Sequence, residues 1–426
     1  MLAASLRTTA RRQAACSSRS LRFSTSTLVR DASKPQQIDP MTGEVMGLST
    51  LDASSLKVTK TQQPKTVPPS SSLVFGQNFS DHMLSVPWNA QTGWAPPHIH
   101  PYGPLHLDPS SVIFHYAPSL FEGMKAYKDV NGGIRLFRPD MNMKRLNVSA
   151  DRIALPAVDG EQLTTLIKKL VSLDKHWIPA DPGHSLYIRP TLIGTQQALG
   201  VFPTTEALLF VICSPVGPYY RSGFKPVALE ADPSKVRAWP GGTGQYKLGL
   251  NYAPGIKMQV EAAKSGYQQN LWLFGEEHWL TEVGTMNMFV VIKNKDGATE
   301  LITPPLNGMI LPGVTRASIL ELARDHLAGK FPIDGLPSDL IVSEREINMA
   351  EVVEAEKSGC LLEMFGAGTA AIVSPVERLG YMGRDIRIPT SEEGVGPIAK
   401  VMLNTITGIQ LGKIEHPWSV VVDENI

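Results

Sequence analysis

The second half of the chain most restricts what it can fold into. From residue 271 four short apolar runs follow one another, LWLF, HWLTEVG, MNMFVVIKN and ELITPP, with Asp296-Gly297 between the last two. Short runs of β-branched, aromatic and aliphatic residues separated by turn residues read as consecutive strands. Helical spacing of apolar residues falls outside this block, in NYAPGIKMQVEAAKSG (251–266), GVTRASILELARDHLA (313–328), AEVVEAEKSG (350–359) and GVGPIAKVMLNTITGIQLG (394–412). A doubly wound sheet needs strands and helices to alternate, and this order does not. The expected class is α+β, bordering on α/β, with mixed sheets flanked by helices.

The first half carries its own elements. MKAYKDVNGGIRLFRP (124–139) places two β-type runs around Asn131-Gly132-Gly133, a hairpin signal. EQLTTLIKKLVSLDKHW (161–177) sets Leu163, Leu166, Ile167 and Leu170 at helical spacing. SLYIRPTLIG and EALLFVICSPVG read as buried strands. A length of 426 residues exceeds one typical domain. The Gly-, Pro- and aromatic-rich SPVGPYYRSGFKP is the expected link. The expected division is a small N-terminal α/β domain over 69–217, an interdomain loop over 218–228 and a large C-terminal domain over 229–426. Residues 31–68, polar and rich in Pro, Thr and Gln, are expected to form an arm or linker. Residues 1–30 hold six Arg, many Ser, Thr and Ala, and no acid before Asp31. That is the composition of a mitochondrial transit peptide.

Several function classes are disfavoured by composition. The 40 basic and 40 acidic residues balance, so no basic field draws nucleic acid. No apolar run is long enough to span a membrane. Cys16, Cys213 and Cys360 are too few for a disulfide framework and too scattered for a zinc site. His98 and His100 make a poor chelate without further ligands, so no metal site is expected.

The stretch GGTGQYKLGLNY (241–252) carries the chemistry. It fails the nucleotide phosphate-loop pattern, because Gln245 and Tyr246 separate Gly244 from Lys247 and Leu248 stands where a hydroxyl is required. It fails the dinucleotide pattern too, with Lys247 at the third glycine position. Three features of this half fit together: Lys247 with Tyr252 five residues on, Glu282 in LTEVGTMN, and the helix start LPGVT, whose free N–H groups suit an anion. A lysine, a carboxylate and a phosphate seat match the needs of pyridoxal 5'-phosphate. Each residue alone also has an ordinary reading, as a solvated lysine, a strand-edge acid or a packing tyrosine.

LFEGMKAY, RLFRPDMNMKRL, SLYIRPTLIGT, PVGPYY, VRAWPGGTGQYKLGLNY, LTEVGTMN, PPLNGMILPGVTR and FGAGTAAIVSP occur in this order between about residues 79 and 397. The chain thereby resembles the mitochondrial type of branched-chain amino acid aminotransferase, among the fold type IV, D-amino acid aminotransferase-like pyridoxal phosphate enzymes. The resemblance implies transamination of Leu, Ile and Val with 2-oxoglutarate. By it, Lys247 matches the Schiff-base lysine, Tyr252 the partner of the cofactor's phenolic oxygen, and Glu282 the acid on its ring nitrogen. Arg145, Thr369 and the Val314 and Thr315 amides match phosphate contacts, and Arg237 an arginine close to the cofactor. The substrate pocket would draw on Phe79, Tyr187, Arg189, Thr285, Thr369 and Ala370. Tyr116, Leu199 and Val201 would come from the second subunit of a homodimer. Arg189 and nearby hydroxyls would receive the distal carboxylate of glutamate. One departure stands out: Ala371 and Ser374 occupy the places of a redox-sensitive C-x-x-C of animal members. A lyase or a specialised aminotransferase on the same scaffold is the alternative expectation.

Overall fold

The computed structural model describes residues 48–217 and 225–423. The expected transit peptide, the arm as far as residue 47 and residues 218–224 of the interdomain loop lie outside the described residues. The architecture is α+β, built on two large sheets.

The first sheet centres on two long antiparallel strands, Ser185–Gly194 and Glu206–Val216, the segments read as buried strands from their apolar runs. His82–Asn89 extends it on one side, and the hairpin Met124–Lys128 and Ile134–Phe137 on the other. Ser419–Val422 returns from the far end of the chain to pair with that hairpin. The expected arm is better anchored than its polar composition suggests. Leu51 and Ala53 are buried and Lys57–Val58 pairs in parallel with His98–Pro101. Two apolar side chains and a few ladder hydrogen bonds suffice to hold a polar segment against a sheet edge.

The helix Gly160–Leu173 starts where Asp159 accepts from the Glu161 and Gln162 amides. This satisfies two of the unpaired N–H groups at the helix start. Its buried face is Leu163, Leu166, Ile167, Leu170 and Val171, packed against the first sheet. Burying each such side chain stabilises by roughly 1.5–3 kcal/mol relative to leaving it exposed.

In the second sheet, Trp279–Val283, Met286–Lys293 and Thr299–Thr303 form the expected antiparallel succession. Val227–Glu230 departs from it, lying parallel between Gln269–Phe274 and Ile372–Tyr381. Leu361–Gly368 joins Ile372–Tyr381 to Met286–Lys293, which closes these strands into a ring. A ring leaves no edge among its members and encloses a core of Leu271, Val283, Met288, Val290 and Met364. The helices Val314–Leu327 and Pro397–Gln410 cover the opposite face through Ile319, Leu322, Met402 and Ile406. Among the described residues no helix is long and apolar enough to cross a membrane.

Candidate active site

Lys247 follows the glycine-rich loop and is fixed at both ends of its residue. Its amide donates to Ser149 Oγ at 2.8 Å, and its carbonyl accepts from the Phe121 amide at 3.2 Å. Its Nζ lies 3.3 Å from Tyr252 Oη and 4.7 Å from the centre of the Phe121 ring. Tyr252 ends a 3-10 turn, Gly249–Asn251, and packs on Phe121 with ring centres 5.0 Å apart. The close passage of this loop needs glycine: a Cβ at Gly244 would come within 2.2 Å of Met309 O.

Glu282 sits on the strand Trp279–Val283 and is 2% exposed. Its Oε1 accepts from the Leu311 amide at 3.1 Å and from Asn287 Nδ2 at 3.3 Å. Its Oε2 is 2.5 Å from Arg237 Nη1 but makes no aligned hydrogen bond, so one buried carboxylate oxygen keeps a free acceptor direction. Burial raises the Glu282 carboxyl above the ordinary range, against the opposing pull of Arg237 and the Leu311 amide.

Arg145 is buried on the helix Pro139–Arg152. Its Nε and Nη2 each donate to Glu122 at 2.8 Å, and its Nη1 donates to Pro312 O at 3.1 Å. Three of its N–H groups are thus engaged, which leaves two of the guanidinium's five for a ligand. Burial would raise Glu122, but Arg145 overrides it and holds the carboxyl below its usual value. Glu122 was not singled out from sequence. Its signal is a lone acid in the apolar run SLFEGM, which demands a buried cation. Asn287 was missed as well; it bridges Glu282 to Leu311 O.

The helix Val314–Leu327 begins at Gly313 with no side-chain cap, so the Val314 and Thr315 amides face the site without a side-chain acceptor. These two residues, with Arg145, Tyr187, Arg189, Lys247, Tyr252, Thr285, Thr369 and Ala370, border one cavity of about 410 Å3. Arg189 lies over Phe121, 4.4 Å from the ring centre, and its Nη2 donates to Tyr187 Oη at 3.1 Å. The Arg189 Nε is buried without a partner.

One substrate residue expected from this chain, Phe79, lies elsewhere. Phe79 stacks on Tyr102, and Phe75 lines the cavity instead, edge-on to Tyr187. The two phenylalanines belong to an irregular segment where no periodicity ranks one above the other. Tyr116, Leu199 and Val201 stand on the surface of the same chain, 43%, 68% and 75% exposed, and the Tyr116 hydroxyl donates to Leu199 O. Arg237 and Glu282 stand behind the cavity wall rather than in its lining.

The class IV amino-transferase pattern matches residues 119–378. The cytosolic branched-chain-amino-acid aminotransferase of Saccharomyces cerevisiae is 55% identical over 382 residues, which cover 89% of this chain and 100% of that protein. The mitochondrial one of Schizosaccharomyces pombe is 51% identical, over 89% of this chain and 87% of its own. Among solved structures, the Escherichia coli branched-chain amino acid aminotransferase aligns over 80% of this chain and 99% of its own, with a TM-score of 0.62 and 24% identity. The Thermobaculum terrenum enzyme, solved in its PLP-bound holo-form, aligns with a TM-score of 0.61 and 21% identity, over 82% and 100%. The chain belongs to the class IV aminotransferases, within the branched-chain amino acid aminotransferases.

Proposed function

We propose that the chain transfers the amino group of L-leucine, L-isoleucine and L-valine to 2-oxoglutarate, giving the branched-chain 2-oxo acids and L-glutamate, with pyridoxal 5'-phosphate as cofactor. The observation that carries this reading is the convergence of Lys247, Tyr252, Arg145 and the uncapped helix start on one cavity, with Glu282 behind it. The residues fit the cofactor. A phosphate suits the Val314 and Thr315 amides, Thr369 and the two remaining Arg145 N–H groups. A protonated ring nitrogen suits the unsatisfied Glu282 Oε2.

Bound pyridoxal phosphate supplies the electron sink that makes the substrate α-carbon acidic. The protein does the rest. Lys247 Nζ would hold the cofactor covalently at rest, and the same amine, once freed by a substrate amine, would serve as the base that carries the substrate's α-proton. Tyr252 Oη accepts from that amine at 3.3 Å and would donate to the phenolic oxygen of a bound cofactor. Glu282, fixed by the Leu311 amide, Asn287 and Arg237, would stand as the acid beside the ring nitrogen. Phe75, Tyr187 and Ala370 offer an apolar wall to a branched side chain, and Arg189 Nε a donor to the distal carboxylate of glutamate.

We further propose a homodimer in which Tyr116, Leu199 and Val201 complete the partner's substrate pocket. Their exposure, with Phe114 and Phe202 also 61% and 71% exposed, supports this reading. A matrix location is proposed from the Arg- and Ser-rich residues 1–30; curated relatives include mitochondrial and cytosolic proteins. A reporter fused to residues 1–30 that stays in the cytosol would remove the basis for it.

The central test is a coupled assay of residues 31–426 with L-leucine and 2-oxoglutarate, beside Lys247→Ala. The wild type should form glutamate and show a cofactor absorbance in the visible range, and the variant neither. A wild type that holds the cofactor but ignores all three branched-chain amino acids overturns the substrate assignment.

A further inference from the structure

A second cavity, of about 550 Å3, lies behind the turn that follows the strand Leu361–Gly368. The strand Met124–Lys128 and the helix Pro397–Gln410 form two of its walls. Ala370 borders both this cavity and the candidate active site. Among the described residues, eight buried side-chain polar atoms have no hydrogen-bond partner. Two of them, Arg189 Nε and Glu282 Oε2, belong to the candidate active site. Three more, Ser185 Oγ, Ser374 Oγ and Gln410 Oε1, share the second cavity. A buried polar atom without a partner is costly, so three of them beside one hollow point to a polar guest there.

The wall also selects by charge. Among the described residues, Lys125, Lys225, Lys413 and His184 border the cavity and no Asp or Glu does. Lys125 is 6% exposed, and its Nζ donates to Ala370 O at 2.8 Å. Burial pulls this lysine down to about 8, and no acid in the wall compensates it. An anion therefore suits the cavity and an ammonium group does not. The two serine hydroxyls can donate or accept, but Gln410 Oε1 only accepts, so the guest must also bring a donor. Ile372, Leu403 and Leu411 leave room for an aliphatic body. Ile372 has φ +63°, left-handed backbone that a β-branched residue adopts only under strain. The turn between the two cavities thus carries backbone strain at Ile372.

We propose that this cavity binds a small hydroxycarboxylate with a compact aliphatic body, and that its occupancy is felt at the active site through Lys125 and Ala370. The carboxylate takes the Lys125 ammonium, the ligand hydroxyl donates to Gln410 Oε1, and the serines complete the set. Lys125 then leaves Ala370 O, the turn that borders the substrate relaxes, and amino acid binding weakens. By linkage, bound amino acid weakens the hydroxy acid equally.

The test uses 2-hydroxy-4-methylpentanoate, which carries no amino or oxo group to exchange. It is titrated calorimetrically into the purified cofactor-loaded protein in the presence of saturating 4-methylpentanoate, which fills the substrate pocket. One equivalent per chain should still bind. The double variant Gln410→Leu, Ser374→Ala should bind roughly tenfold more weakly, and Lys125→Met should not bind at all. In the leucine assay the probe should raise KM with little change in kcat. No binding, binding abolished by 4-methylpentanoate, or equal affinity in the double variant overturns the proposal. The double variant keeps the buried lysine, so it decides the matter if Lys125→Met does not fold. Binding is read without turnover, so failure of the transamination reading shows separately, in the assay alone.

Discussion

At the level of single residues, the site depends on side chains that fix other side chains. Glu122 touches Arg145 through two 2.8 Å hydrogen bonds, and both are buried. Glu122→Gln should leave an uncompensated guanidinium, and breaking one partner of a buried pair costs about 3–5 kcal/mol. Urea unfolding of the two proteins should show a loss of that order, with weaker cofactor retention on dialysis. The sign with pH follows from the depressed Glu122 carboxyl. Its stabilisation is fully present above the unfolded value of 4.5 and is lost as pH falls through the lower folded value. Wild type should therefore lose stability below about pH 4.5 more steeply than Glu122→Gln; parallel acid melts would refute the assignment. A second prediction concerns sulfur. Cys213 is fully buried, with its thiol pushed up by burial, and Ala371 and Ser374 replace the expected cysteine pair. Mild peroxide should leave activity unchanged, and a loss reversed by dithiothreitol would contradict this.

At the level of elements, the helix start Val314–Leu327 shows how geometry can be tested apart from chemistry. A Cβ at Gly313 would stand 2.0 Å from Asn287 Oδ1, and Asn287 holds both Glu282 and Leu311. Gly313→Ala should push Asn287 away and disturb the phosphate seat and the ring acid together. The expected outcome is at least about a tenfold rise in the cofactor dissociation constant with the secondary structure retained by circular dichroism. Unchanged cofactor affinity would show that the helix start plays no part. Five helices and the central strands were legible beforehand because apolar spacing records which face is buried, as in Leu163, Leu166, Ile167 and Leu170. The parallel insertion of Val227–Glu230 was not, because a four-residue apolar strand carries no trace of its partners.

At the level of the whole molecule, the open question on the surface is what covers Phe114, Tyr116, Leu199, Val201 and Phe202. Large apolar side chains this exposed commonly mark an interaction surface. Leu199→Asp with Val201→Asp should turn a dimer into a monomer by analytical ultracentrifugation. On the proposed shared pocket, the same change should lower kcat/KM for leucine at least about tenfold, since a charge would replace a proposed apolar wall. A double variant that stays dimeric with unchanged kcat/KM would remove these residues from the shared pocket.

The sequence by itself determined the α+β class, the hairpin at residues 124–139, several central strands of both sheets and five of the helices, and it marked Lys247 and Tyr252 as candidates; the helix Pro139–Arg152 that carries Arg145 was not among its readings. Lys247 and Tyr252 lie five positions apart, so local geometry sets their proximity. Glu282 and the LPGVT helix start were recognisable as residue types in suitable settings. Only the tertiary structure decided the rest. Glu122 meets Arg145, Lys125 meets Ala370, and Ser185 shares a cavity with Ser374 and Gln410, across separations of 23 to more than 200 residues. Such meetings depend on how two sheets and their helices pack, and burial then fixes the charge states. Neither leaves a period or a spacing in the chain for a reader of the sequence to find.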